Sequence, residues 1–125
     1  MIHTLLSVAL GGALGSSARY LVNVAAMRLV GAGFPWATLT VNVLGSFLMG
    51  VLIVTFANKD LTRLAPFLMT GVLGGFTTFS AFSLDAVSLW QRGEVLTAAV
   101  YVAGSVVLSL AALLAGTTVA RGVFA

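Results

Sequence analysis

Hydrophobic residues form four long stretches along this chain, without the alternation of a half-buried strand. The stretches cover residues 2–30, 36–57, 66–90 and 95–120. A membrane-spanning helix needs about 20 mostly apolar residues, whereas a strand of a membrane barrel needs only about 10 of alternating polarity. The pattern therefore predicts an all-α membrane protein with four transmembrane helices, in a single integral membrane domain over residues 1–125.

Three short polar segments separate the stretches, at residues 31–35, 58–63 and 91–94. They contain Gly, Pro, Asn or charged residues, which favour loops. The first stretch lacks a basic leader and is too long for a cleavable signal peptide, so we expect it to remain as a span. An even number of spans places both termini on one side. The short loops leave no room for a water-soluble domain, so we expect function to lie within the bilayer, in an oligomer.

The composition excludes several classes of protein. Hydrophobic residues make up 60% of the chain and charged residues 7%, whereas soluble domains have about 25% charged residues. A soluble enzyme, a disordered chain and a nucleic-acid-binding module are therefore excluded, and no nucleic-acid partner is expected. Cysteine is absent, which rules out disulfides and thiolate chemistry. The only histidine is His3, and the sequence offers no nucleophile–base pair, so we do not expect an enzyme.

Positive charges are nearly balanced between the two sides of the predicted bundle. Lys and Arg in short loops favour the cytoplasm. The side with the termini carries Lys59, Arg63 and Arg121, and the other side carries Arg28 and Arg92. This balance predicts dual topology, and hence an antiparallel dimer of oppositely oriented copies. The alternative, in which a small difference in positive charge sets a single orientation, stays open.

Arg19 and Asp85 are the only charges well inside a span. If the long Arg19 side chain reached the side of Arg28 and Arg92, each side would carry three positive charges. The first and third helices run in the same direction, and the two residues lie at similar depths when counted from the starts of their stretches. We predict an ion pair between them, because an unpaired charge in the membrane is costly. We favour a structural role for this pair over a role in transport.

Other polar side chains interrupt the apolar stretches. The Asn42 amide must find a partner, and it either joins two helices or lines a wet path. Tyr101, Ser105 and Ser109 recur at i, i+4 and i+8, which places three hydroxyls on one stripe of the fourth helix. These hydroxyls either bond to carbonyls of their own helix or form a polar track.

Small residues in the first helix predict close packing. Gly11 and Gly15, and likewise Gly12 and Ser16, are four residues apart. Such pairs let two helix backbones approach each other in a membrane. We therefore expect a packing role for this face.

The third stretch has poor helix-forming sequence at its centre, Gly74-Gly75-Phe76-Thr77-Thr78. We predict a break near the middle of this helix. Breaks at membrane depth occur only where protein or a water-filled cavity satisfies the freed backbone groups. Phe79 and Phe82 follow at i and i+3 on one face. They either pack against neighbours or present electropositive ring edges to a dehydrated anion.

Three motifs stand out, one in each of the first three helices. They are Gly11-Gly12-x-x-Gly15-x-x-x-Arg19-Tyr20, Thr38-Leu39-x-Val41-Asn42-x-x-Gly45, and Gly71-x-x-Gly74-Gly75-Phe76-Thr77-Thr78-Phe79-Ser80-x-Phe82-Ser83. Together with the length and the span count, they resemble the Fluc-type fluoride channels, also called the CrcB family. The family usually has Gly where this chain has Ala37, and often Glu where it has Asp85.

The resemblance implies a fluoride-selective channel that passively exports fluoride across the inner membrane. It implies an antiparallel, dual-topology homodimer with two pores in the lipid bilayer. The implied pore residues are Asn42, Phe79, Ser80 and Phe82. Tyr101, Ser105 and Ser109 are the implied polar track of the fourth transmembrane helix. The backbone carbonyls of Gly74 and Thr77, supplied by both copies, match the ligands of a central structural sodium ion. The uncharged donors of the implied pore residues suit weak, multi-site binding of fluoride, which permits the ion to leave as well as to bind.

Two other interpretations stay open. A small proton-coupled multidrug exporter also has four short spans and dual topology, but it needs a titratable carboxylate in its first helix, and this chain has none there. A purely structural membrane protein or assembly factor is the second. Fluoride efflux from liposomes distinguishes both from a channel.

Overall fold

The computed structural model describes residues 1–125, and the chain is all-helical. Four of its segments are long and apolar enough to cross a membrane, so the predicted four-helix membrane fold is confirmed. Helix α1 covers Ile2–Leu29 and α2 covers Trp36–Lys59. The third span consists of a 3₁₀ turn at Thr62–Leu64, a π-helical segment at Pro66–Leu73, α3 at Gly74–Phe76 and α4 at Phe79–Gln91. Helix α5 covers Val95–Val123.

The outer surface of the bundle is apolar. Only 18 of the 125 residues are buried, and most large hydrophobic side chains face outward. A water-soluble protein does not expose contiguous apolar surface of this extent. The pattern is that of helices whose outer faces meet lipid.

Helix α1 packs closely against the first half of the third span. A Cβ added at Gly11 would collide with the carbonyl of Phe67, and one added at Gly15 with the carbonyl of Val72. Only glycine permits this approach of two backbones. The predicted packing role of Gly11 and Gly15 is confirmed.

Helix α2 packs against α5, which runs in the same direction. A Cβ at Gly50 would collide with the carbonyl of Leu113. A Cβ at Gly116 would likewise collide with the carbonyl of Phe47. The two glycines therefore lie opposite each other and set the register of the two helices. Counted back from this pair, Asn42 and Ser109 lie at similar heights, and Ser46 lies about one turn closer to the pair.

The third span is interrupted at Thr77 and Thr78, whose backbones are extended, with φ −87° and ψ 160° at the first and φ −153° and ψ 127° at the second. The glycines of the motif still complete a helical turn, so the interruption falls on the β-branched threonines, which favour extended backbone. The Thr78 hydroxyl then caps α4 by accepting a hydrogen bond from the Ala81 N–H at 3.1 Å. The predicted break near the middle of the helix is confirmed.

Candidate functional site

Asn42 on α2 holds the interruption of the third span in place. Its Nδ2 donates to the Thr78 carbonyl at 2.9 Å, and its Oδ1 accepts from the Thr78 N–H at 2.8 Å. The amide thus satisfies both backbone groups of a residue outside regular helix, as a membrane interior requires. One amide N–H remains, because a primary amide has two. Asn42 therefore joins two helices and still has a donor to offer.

A cavity of about 390 Å³ lies between α2, the interruption and α5. We call it the central cavity. Its polar lining consists of Asn42, Ser46, Thr77, Thr78, Ser105 and Ser109, and its largest apolar lining residues are Met49, Phe79, Phe82, Leu110 and Leu113. No charged side chain lines it. Uncharged amide and hydroxyl donors can replace part of the hydration shell of an anion without trapping it.

The hydroxyl stripe of α5 is divided between two environments. Ser105 and Ser109 line the central cavity, and the Ser105 hydroxyl is buried without a hydrogen-bond partner. Tyr101 is only 1% exposed and donates its hydroxyl to Asp85 Oδ2 at 3.1 Å. The Tyr101 and Phe82 ring centroids are 5.3 Å apart. Tyr101 thus packs against the Phe82 ring, which lines the cavity, and does not line the cavity itself.

The aromatic pair at the start of α4 lines the central cavity. The ring centroids of Phe79 and Phe82 are 5.5 Å apart, with an interplanar angle of 44°. Phe79 is 78% exposed, so little of this chain packs against it. Ser80 is also exposed and lies outside the cavity, with its hydroxyl 3.3 Å from that of Thr78.

The predicted ion pair between Arg19 and Asp85 is wrong. Arg19 Nε donates to the Gly75 carbonyl at 3.0 Å, and Asp85 is bonded to α5 as described above. Gly75 and Asp85 lie on opposite sides of the interruption, in α3 and α4. Depth counted from the stretch boundaries was misleading, because the close contact of Gly11 with Gly71 places Arg19 level with the interruption. The charge is stabilised there by a carbonyl that an unbroken helix would not have left free.

The interruption also frees the two carbonyls that the resemblance assigns to a cation. In an unbroken helix, the Gly74 carbonyl would accept from the Thr78 N–H, and the Thr77 carbonyl from the Ala81 N–H. These N–H groups instead bond to the side chains of Asn42 and Thr78. The carbonyls of Gly74 and Thr77 therefore lose their helical donors at membrane depth. Carbonyl oxygens of this kind suit a hard monovalent cation.

A second cavity of about 210 Å³ lies where α1 ends and α2 begins. Its polar lining consists of Asn23, Thr38, Asp85, Ser88 and Arg92. Arg92 also forms an ion pair with Glu94 at 3.1 Å. Since Tyr101 bonds to Asp85 and packs against Phe82, it separates this cavity from the central cavity.

Ser46 is a polar lining residue that the sequence interpretation did not single out. It follows Asn42 by four residues on the same face of α2 and lines the central cavity with it. The i, i+4 spacing that identified the hydroxyl stripe of α5 applies equally to this pair. A search of α2 for polar residues at that spacing would have found it.

The fold and the central cavity together define a class of protein. An apolar four-helix bundle with one interrupted span, whose freed backbone faces a polar cavity, is the architecture of a small membrane channel or transporter.

The chain belongs to the CrcB family, because the family profile described as CrcB-like protein, Camphor Resistance (CrcB), matches residues 6–117. A protein of Cereibacter sphaeroides named fluoride-specific ion channel FluC is 66% identical over 122 residues, which is 98% of each chain. Proteins of the same name from Paracoccus denitrificans and Agrobacterium fabrum are 62% and 54% identical, over 100% and 94% of this chain and 100% and 95% of their own. The resemblance inferred from the motifs is confirmed. The chain is a multi-pass protein of the inner membrane and not an enzyme.

Proposed function

We propose that this chain is a fluoride-specific ion channel that lets fluoride leave the cell down its gradient. The proposal is carried by the relatives named fluoride-specific, which match nearly the whole chain at 66% and 62% identity. The uncharged donors of the central cavity support it, because they can bind a dehydrated anion weakly and repeatedly. Helix α1 contains no acidic residue, which disfavours the proton-coupled exporter.

Efflux from proteoliposomes tests this function. Purified protein in vesicles loaded with fluoride should release it when a potassium ionophore dissipates the membrane potential, as followed with a fluoride electrode. Vesicles loaded with chloride, followed with a chloride electrode, should release almost none. Equal release of both anions would contradict a fluoride-specific channel, and a requirement for a pH gradient would favour the exporter.

The proposed working unit is an antiparallel homodimer with two pores. The central cavity opens to one side of the chain beside Phe79, which is 78% exposed, and a second copy would cover this face. Arg19 is committed to the Gly75 carbonyl inside the span, so it does not reach either loop. The loops then carry Lys59, Arg63 and Arg121 on one side and Arg28 and Arg92 on the other. Charges this evenly divided support insertion in both orientations.

Labelling from both membrane sides is the expected result for a cysteine added after Ala125. The chain has no cysteine of its own, so an impermeant maleimide would report only the added thiol. About half of the protein should react from each side, because balanced flanking charges set no orientation. Extra Lys on one side should fix the orientation and lower flux, and coexpression of an oppositely biased chain should restore it. One-sided labelling of a functional sample would contradict the antiparallel dimer.

A sodium ion at the centre of the dimer is the second part of the proposal. The carbonyls of Gly74 and Thr77, which lack their helical donors, would hold it from both copies. When bound, the ion supplies fixed positive charge without a titratable group. The third carbonyl near the interruption, that of Gly75, accepts a hydrogen bond from the Arg19 guanidinium. The chain itself therefore supplies a donor to only one of these three carbonyls.

Removal of sodium is expected to lower both dimer stability and fluoride flux. Carbonyl dipoles left unpaired in a membrane interior destabilise the fold by about 1–3 kcal/mol each. Protein dialysed into N-methylglucamine buffer would be compared with protein in sodium at the same ionic strength, by thermal melting of the dimer and by fluoride efflux. Restored sodium should recover both. Unchanged stability and flux after exhaustive removal would argue against the ion.

A further inference from the structure

We propose that Ser46 on α2 is a further fluoride-binding residue, which extends the line of donors one turn beyond Asn42. The inference rests on the proposed channel function and deepens it. It places a further donor level in the central cavity, toward the end of the bundle that carries the chain termini.

The position of Ser46 on α2 supports this role. Ser46 follows Asn42 by one turn, about 6 Å along the helix axis, and both side chains line the central cavity. Ser46 is half-buried. The side-chain hydrogen bonds of α2 use Asn42, Thr55 and Asn58 and leave the Ser46 hydroxyl free. The membrane interior therefore contains a donor directed to the cavity with no partner in its own chain.

The register of α2 beside α5 places Ser46 beyond the last hydroxyl of the α5 stripe. The contacts of Gly50 with the Leu113 carbonyl and of Gly116 with the Phe47 carbonyl place the two glycines opposite each other. Counted back from this pair, Ser109 lies near the height of Asn42, and Ser46 lies about one turn closer to the pair; all three line the central cavity. The next position of the α5 hydroxyl stripe is Leu113, which is apolar. The stripe thus ends on α5 at the level where Ser46 offers a hydroxyl from α2.

Successive donor levels suit the chemistry of fluoride. A small anion holds its water strongly, and one amide N–H with one hydroxyl replaces only part of that shell. Ser105, then Asn42 with Ser109, then Ser46 follow one another along the cavity, so the ion can gain new donors before it leaves the old ones. Conduction requires such successive weak sites.

Ser46→Ala is expected to lower fluoride flux roughly tenfold at low fluoride concentration, which is the loss that corresponds to one hydrogen bond to a charged partner. The fluoride concentration for half-maximal flux should rise. Ser46→Thr keeps a hydroxyl and should retain most of the flux. The matched control on the same helix is Thr55→Val, because the Thr55 hydroxyl already donates to the Val51 carbonyl at 2.8 Å, and its flux should equal that of the unmodified protein.

All variants would be purified as dimers by size exclusion and compared per dimer with a fluoride electrode. Flux of Ser46→Ala equal to that of Thr55→Val would overturn the inference and leave the proposed function intact. A reduced flux with an unchanged concentration dependence would also overturn it, because that outcome assigns Ser46 to packing. Absence of fluoride flux in the unmodified protein would instead contradict the proposed function.

Discussion

Asn42→Asp should reduce fluoride flux on the order of a thousandfold. Two like charges 4 Å apart repel by about 4 kcal/mol at an effective dielectric constant near 20, and each 1.4 kcal/mol is a factor of ten. The introduced carboxylate would face the central cavity, which is the proposed path of the anion. It would also lose the Nδ2 donor that now bonds to the Thr78 carbonyl at 2.9 Å.

Asn58→Asp provides the matched control. Asn58 lies on the same helix, near its end, and its Nδ2 donates to the Val54 carbonyl at 2.9 Å. The same change of charge there is outside the central cavity, so we expect flux near that of the unmodified protein. Both variants would be assayed by fluoride efflux on purified dimers. Substantial flux through Asn42→Asp dimers would show that Asn42 does not face the permeating anion.

The second large effect is expected from the aromatic pair. Phe79→Ile and Phe82→Ile should each lower fluoride flux at least roughly tenfold, because a ring edge is electropositive and an aliphatic side chain of similar bulk is not. Tyr, Met and Trp should retain part of the flux, since each offers a polarisable or electropositive contact. The fold of the single chain should remain intact, because Phe79 is 78% exposed and packs little within it. Dimer assembly should also remain intact, because isoleucine keeps most of the bulk and the apolar surface that the ring offers to the proposed partner.

Phe56→Ile is the control for packing alone. Phe56 is 3% exposed and lies outside the central cavity. Its replacement should lower the melting temperature of the dimer and leave flux per folded dimer nearly unchanged. If Phe79→Ile and Phe82→Ile behave in the same way, lowering stability with normal flux, then the rings only pack against neighbours and the anion-binding role fails.

Features that depend on local composition could be predicted from the amino-acid sequence alone. The four apolar stretches became four spans, because spanning length and hydrophobicity are properties of a segment. The weak helix-forming run Gly74-Gly75-Phe76-Thr77-Thr78 located the interruption, although the extended residues proved to be the threonines and not the glycines. The long motif of the third helix was specific enough to indicate the family, which the profile match then confirmed.

Which side chains meet depends on how the helices pack, and this could not be predicted from the sequence. Depth counted along single helices paired Arg19 with Asp85, but the register set by close glycine contacts placed Arg19 beside the Gly75 carbonyl. The same kind of register brought Ser109 to the height of Asn42 and placed Ser46 one turn beyond them, and no property of these residues alone predicts that. Span and break positions follow from the free energy of each segment in lipid, whereas side-chain partners depend on the rotation and offset of one helix against another. Those two quantities are fixed by backbone contacts between residues far apart in the chain.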